Sequence, residues 1–149
     1  MESISVLREQ LAELSTLEKD WDSYGAEPPN AIAIENTRKV LDRMEHHNLE
    51  ASRVLPDACN GAGVVWVGTF DKNRYADIAC GNDGSVVALT SDQSKILSEP
   101  SSMRMWYVSD MHVDDGQCDE PSPSPGDLVL TLEETLEQIR YFIWVDYNA

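Results

Sequence analysis

The sequence predicts an α+β domain: two N-terminal helices, an antiparallel sheet of about four strands running as a meander, and a C-terminal helix, with the helices packed on one face of the sheet. Three observations carry that expectation. Apolar residues recur at three- and four-residue spacing in residues 4–17 and again in 31–47. Short β-rich runs separated by turn residues fill 53–108, and a capping signature at Thr131 opens a last apolar-periodic run. A length of 149 residues with 42% hydrophobic content suits one domain over 1–149. A chain of this size buries about 70% of the surface its unfolded form exposes, so it needs neither metal nor disulfides to fold.

The first helix rests on Ile4, Leu7, Leu11, Leu14 and Leu17, which draw one stripe, with Arg8, Glu9, Glu13 and Lys19 on the remaining surface. The pattern stops after about two heptads, short of the three or four a coiled coil needs, so the stripe faces a core. Residues 18–29, EKDWDSYGAEPP, form a joint. Gly25 is expected to take a positive φ after the first helix, the two prolines to start the second, and Trp21 with Tyr24 to pin the helix pair onto the sheet. Asn30 is a suitable N-cap, and Ala33, Ile34, Thr37, Val40, Leu41 and Met44 keep a helical period to about His47, so 1–50 reads as a helical hairpin. His46 and His47 are adjacent and point about 100° apart on a helix, which cannot place both on one metal.

Residues 64–70 (VVWVGTF), 74–80 (RYADIAC), 85–90 (SVVALT) and 103–108 (MRMWYV) are the strand candidates, so 53–108 reads as the antiparallel sheet. Asn82, Asp83 and Gly84 supply a tight hairpin turn. Residues 114–127 combine acids with three alternating prolines and form a loop, and 128–130 suggests a short strand. Thr131 and Glu134 make a capping box for a closing helix within 131–147, whose stripe is Leu132, Leu136, Ile139 and Ile143.

Charge is the strongest global signal. Twenty-seven acids against eleven bases give −16, divided as −6 over residues 1–50, −1 over 51–109 and −9 over 110–149. Such a field repels nucleic acid and anionic membranes and attracts basic surfaces. Solubility alone is a competing explanation for the same acidity. The N-terminus MESISVLREQ has neither the basic start nor the apolar core of a secretory signal, and no apolar run approaches the roughly 20 residues of a membrane span. Cys59, Cys80 and Cys118 are odd in number and widely spaced, which disfavours a disulfide framework. A reduced, cytoplasmic setting is expected.

No motif specifies a reaction. Asp110, His112 and Asp114, with Asp115 beside them, would alternate onto one face of an extended segment and could ligate a divalent ion, which gives a small metal-dependent enzyme as one alternative. The favoured reading is a solvated strand end, with no metal and no cofactor. Cys118, six residues after His112, lies among acids that raise a thiol pKa, so it reads as a bystander. The G-x-G of Gly61 and Gly63 precedes a strand instead of opening a helix, and reads as a turn. Trp66, Trp106, Tyr107 and Trp144, like Trp21 and Tyr24, divide between core packing and exposed anchors. The candidate partner-binding residues are Asp20, Trp21, Asp22 and Tyr24 in the joint, and Asp110, Asp114, Asp115, Asp119 and Glu120 toward the C-terminus.

The apolar run 11–17 followed by Trp21, Asp22, Ser23, Tyr24, Gly25 and Ala26, a second helix, then Pro56 ahead of a glycine-bearing turn and a V-x-W strand at 64–66, resembles a group of small bacterial and phage proteins. Their shared feature looks like W-D-G-Y-G-A. The resemblance covers roughly residues 7–90 and is specific at the joint, where Ser23 stands in place of the more usual Gly. It brings no activity with it. It implies a context of phages and mobile elements, where compact acidic binders block a host enzyme or a defence complex. The expectation is therefore a non-enzymatic, acidic, protein-binding inhibitor of a basic nucleic-acid-handling protein, possible as a partial DNA mimic, in the cytoplasm of a bacterial host. An antitoxin-like partner of a basic toxin is the alternative from the same charge, and the oligomeric state stays open, a homodimer included.

Overall fold

The computed structural model describes residues 1–57, 61–68, 73–92, 103–111 and 128–145, with the backbone alone at 144 and 145. Its architecture is α+β: three helices, two before and one after a six-stranded mixed sheet. Among the described residues, no helix is long and apolar enough to cross a membrane.

Helix α1, Ile4–Leu14, starts at Ser3, whose hydroxyl accepts from the N–H of Val6, and buries Leu7, Leu11 and Leu14. It ends three residues short of Leu17 because Ser15 and Thr16 turn their hydroxyls back onto the carbonyls of Ala12 and Glu13, each at 2.7 Å. Helix α2, Ala31–His46, is capped by Asn30, whose Oδ1 accepts from Ala33 N–H at 2.9 Å. Arg8 joins the two helices by donating to Asp42 and Glu45.

The strands are β1 (Arg53–Asp57), β2 (Gly61–Val67), β3 (Arg74–Gly81), β4 (Val86–Asp92), β5 (Arg104–Val108) and β6 (Val129–Leu130), lying side by side in chain order. The first five pair antiparallel and β6 joins β5 in parallel, so the expected four-strand meander gains a strand at each edge. β1 contains Pro56, which breaks a strand pattern in sequence but is tolerated at an edge, where one side of the backbone needs no ladder partner. The side chain of Gln10 accepts the N–H of Val54, protecting that edge. Gly61 and Gly63 lie inside β2 and not in a turn. A Cβ on Gly61 would stand 2.3 Å from the carbonyl oxygen of Cys80, so close backbone approach explains this glycine. The Asn82–Gly84 hairpin does turn as expected, with Gly84 at φ +90°.

Register divides the sheet into two faces. Val54, Val64, Ile78, Ala88 and Trp106 stand opposite one another across β1 to β5 and join the core with Leu7, Leu41 and Met44. α2 lies over β2 and β3, whereas α1 reaches the sheet through α2 and the edge strand β1, so the two N-terminal helices do not pack equivalently. Trp66 and Trp106 are core residues whose indole N–H groups donate to Glu50 O and Thr135 Oγ1.

Helix α3, Leu132–Arg140, opens on the expected capping box of Thr131 and Glu134. It passes into a π-helical turn, Tyr141–Val145, over which Arg74 sits 4.9 Å from the Phe142 ring and donates to the Phe142 carbonyl. Ile143 is still buried, as the stripe required.

Candidate functional site

The joint is a closed loop built by its own acids. Asp20 and Ser23 hold φ near +67° and +65°, and Gly25 +84°. Two carboxylates compensate this strained backbone. Asp20 Oδ1 accepts from Gly25 N–H at 2.5 Å, and Asp22 Oδ1 accepts from Tyr24 N–H at 2.9 Å and Ala26 N–H at 3.2 Å. The Trp21 indole donates to Glu27 O, leaving the ring half-buried. Tyr24 does not pin the helices to the sheet, because it is 92% exposed at the tip of the loop. Of the four joint residues expected to contact a partner, Tyr24 presents its whole side chain, and Asp20 and Asp22 act chiefly on the loop itself.

Asn82 anchors this loop to the sheet. Its Oδ1 accepts from Asn30 N–H at 2.8 Å, its carbonyl accepts from Asn30 Nδ2, and its own amide donates to Pro28 O. Fifty-two residues separate Asn30 from Asn82, so no local pattern announces the tie.

Asp110, also expected at a contact surface, is exposed but has a structural task. Its Oδ1 accepts from Leu132 N–H at 2.6 Å, at the positive end of α3. Nearby, Glu133 accepts from Arg43 at 2.7 Å and meets His47 Nε2 at 2.6 Å, so an exposed Arg43–Glu133 ion pair ties α3 to α2. His112, Asp114, Asp115, Cys118, Asp119 and Glu120 lie outside the described residues. Among the described residues, no three His, Cys, Asp or Glu side chains are grouped to hold a metal ion. Cys80 is fully buried, and burial pushes its thiol up to about 12. It stays protonated at neutral pH, which is unsuited to nucleophilic work.

The face of the sheet turned away from the described helices carries a feature that the linear pattern does not reveal. On this face Arg53, Val65, Asp77, Leu89 and Met105 form one row across β1 to β5, beside a second row of Leu55, Gly63, Ala79, Val87 and Tyr107. Gly63 and Ala79 leave a hollow of about 270 Å³, lined by the apolar Leu55, Pro56 and Val65 and by the polar Tyr75, Asp77 and Asp57. Tyr75 donates its hydroxyl to Asp77 Oδ2 at 2.8 Å. Burial raises the Asp77 carboxyl above the usual range; the Tyr75 hydrogen bond opposes that shift and the charge of Asp57 adds to it. Burial, with the bond to Asp77, also raises the Tyr75 phenol. Farther along the face, Val87, Met105, Tyr107 and Leu128 line a second recess of about 240 Å³. One clue was present in the sequence: Asp77 shares a strand face with Tyr75 and Ala79, where a carboxylate is costly without a purpose.

Comparisons of this chain with protein families, with curated proteins and with solved structures find no match. The functional reading therefore rests on the surfaces described above.

Proposed function

We propose that this protein is an acidic binding protein that occupies and blocks a basic, nucleic-acid-handling protein, as a phage- or mobile-element-encoded inhibitor or partial DNA mimic would. The observation that carries the reading is Tyr24, 92% exposed on a loop whose backbone Asp20 and Asp22 hold in place. An aromatic anchor on a preorganised loop loses little conformational freedom on binding, which favours a hot-spot role. The charge pattern supports the same partner class. Arg8, Arg38 and Arg43 are each engaged by acids of the protein itself, whereas Glu9 and Glu13 stand exposed one turn apart on α1, outside the ion pairs found among the described residues. Like charges at that spacing mildly destabilise a helix, so their field is left to act outward.

The test is affinity capture from bacterial lysate at low and high salt, with mass spectrometry of the released proteins and a parallel Tyr24→Ala bait. Retention of a basic nucleic-acid-handling protein at low salt, its release at high salt and its weaker capture by the variant are the expected results. Capture of acidic or neutral proteins alone, or none, contradicts the reading.

A further inference from the structure

We propose that the hollow between β1, β2 and β3, on the face away from the described helices, receives one cationic alkyl side chain, a lysine or arginine of the bound partner, with Asp77 as its counter-ion. The proposal rests on the reading above in taking the partner to be basic, and it adds a second contact surface on the opposite side of the sheet from the helices.

The shape and chemistry of the hollow select this occupant. Gly63 and Ala79 form a floor without bulky side chains, and Leu55 and Val65 offer apolar walls suited to a methylene stem. Beside them, Tyr75 donates to Oδ2 of Asp77, and no described hydrogen bond takes Oδ1. An apolar ligand would leave this carboxylate desolvated, and an anion would meet both Asp77 and Asp57. A cation matches both the walls and Asp77, and its hydrogen bond to a partly buried carboxylate is of the stronger, charge-assisted kind.

The surroundings agree. From β1, Asp57 and the exposed Arg53 are the charged groups facing this pair; from β3 itself comes Tyr75; and β4 contributes the uncharged Val87 and Leu89. Burial and Asp57 both disfavour the ionised form of Asp77, so an arriving cation is expected to favour ionisation and bring its carboxyl back toward the ordinary range.

The test uses the full chain and a defined probe: NMR titration with n-butylguanidinium and n-butylammonium, with 1-pentanol as the uncharged control. Saturable shifts at the amides of Gly63, Val65 and Ala79, together with a fall in the Asp77 carboxyl pKa, are the expected results for the cations and not for the alcohol. Asp77→Asn should weaken binding about tenfold or more. Ala79→Leu, which fills the floor and keeps the carboxylate, should abolish it. Shifts spread over the acidic surface without saturation, or equal binding by Asp77→Asn, would overturn the proposal. The titration needs no partner, so the two readings fail separately. Probe binding without capture of a basic protein contradicts the proposed function alone, and capture without probe binding contradicts the hollow alone.

Discussion

Tyr75 and Asp77 point to the same side of β3, and the 2.8 Å hydrogen bond between them lines a hollow of the sheet with a carboxyl group that burial shifts toward its neutral form. A carboxyl whose pKa is raised on folding binds its proton more tightly in the folded state. Between its unfolded value, near 4, and the raised folded value, the stability from this group therefore falls as pH rises, and above the folded value it stays lost. Asp77→Asn should be more stable than the parent at pH 7, with the difference shrinking as pH falls through the folded pKa toward 4. Thermal melts of both proteins across that range check it, and a constant difference would contradict the assignment.

Ser23 holds φ +65°, in the left-handed region that favours glycine. Ser23→Gly should raise unfolding stability by about 0.5–1 kcal/mol, because relief of the unfavourable conformation outweighs the added freedom of the unfolded chain. Gly25→Ala, at φ +84° with open space around its Cα, should lower stability by about 1 kcal/mol through backbone strain alone. Urea unfolding measures both.

Gly61 and Gly63 share β2 but not their surroundings. A Cβ at Gly61 meets the Cys80 carbonyl oxygen at 2.3 Å, and one at Gly63 meets the Ile78 oxygen at 3.2 Å. Gly61→Ala is expected to cost about 2 kcal/mol or more, since backbone must move, and Gly63→Ala clearly less. Equal unfolding midpoints for the two variants would contradict this register.

Asn36 is fully buried on α2, and neither its amide nitrogen nor its carbonyl oxygen has a hydrogen-bond partner. Leucine has the same branched shape without the polar atoms. Asn36→Leu should therefore stabilise the protein by about 1–2 kcal/mol in urea unfolding. Destabilisation would mean that a bound water serves the amide.

Local signals in the sequence located most elements. Asn30 at the start of α2, Thr131 with Glu134 at the start of α3, and the Leu7, Leu11 and Leu14 stripe all act within one or two helical turns, so a linear reading finds them. β1 escaped because Pro56 forbids a central strand and only the sheet order reveals an edge. The start of β2 escaped because glycines chosen for close approach look the same as glycines chosen for a turn. A short strand at 128–130 is legible in the sequence and appears as β6, but its parallel pairing is set by distant β5. The joint is legible as a segment, but in the sequence Asp20 and Asp22 read as surface charge, although their spacing to Tyr24, Gly25 and Ala26 also suits turn bonding. The hollow at Asp77 needs the register of three strands, which no single stretch encodes.

The decisive measurement for an acidic, Tyr24-anchored binder is the affinity of the purified protein for its captured basic partner from about 0.1 M to 1 M salt, over which the Debye length falls from about 10 to 3 Å. Affinity should fall steeply with salt, and a Tyr24→Ala variant should bind about tenfold or more weakly at every salt concentration while keeping the same salt slope. Affinity that is independent of salt and unchanged by Tyr24→Ala would contradict the proposed function.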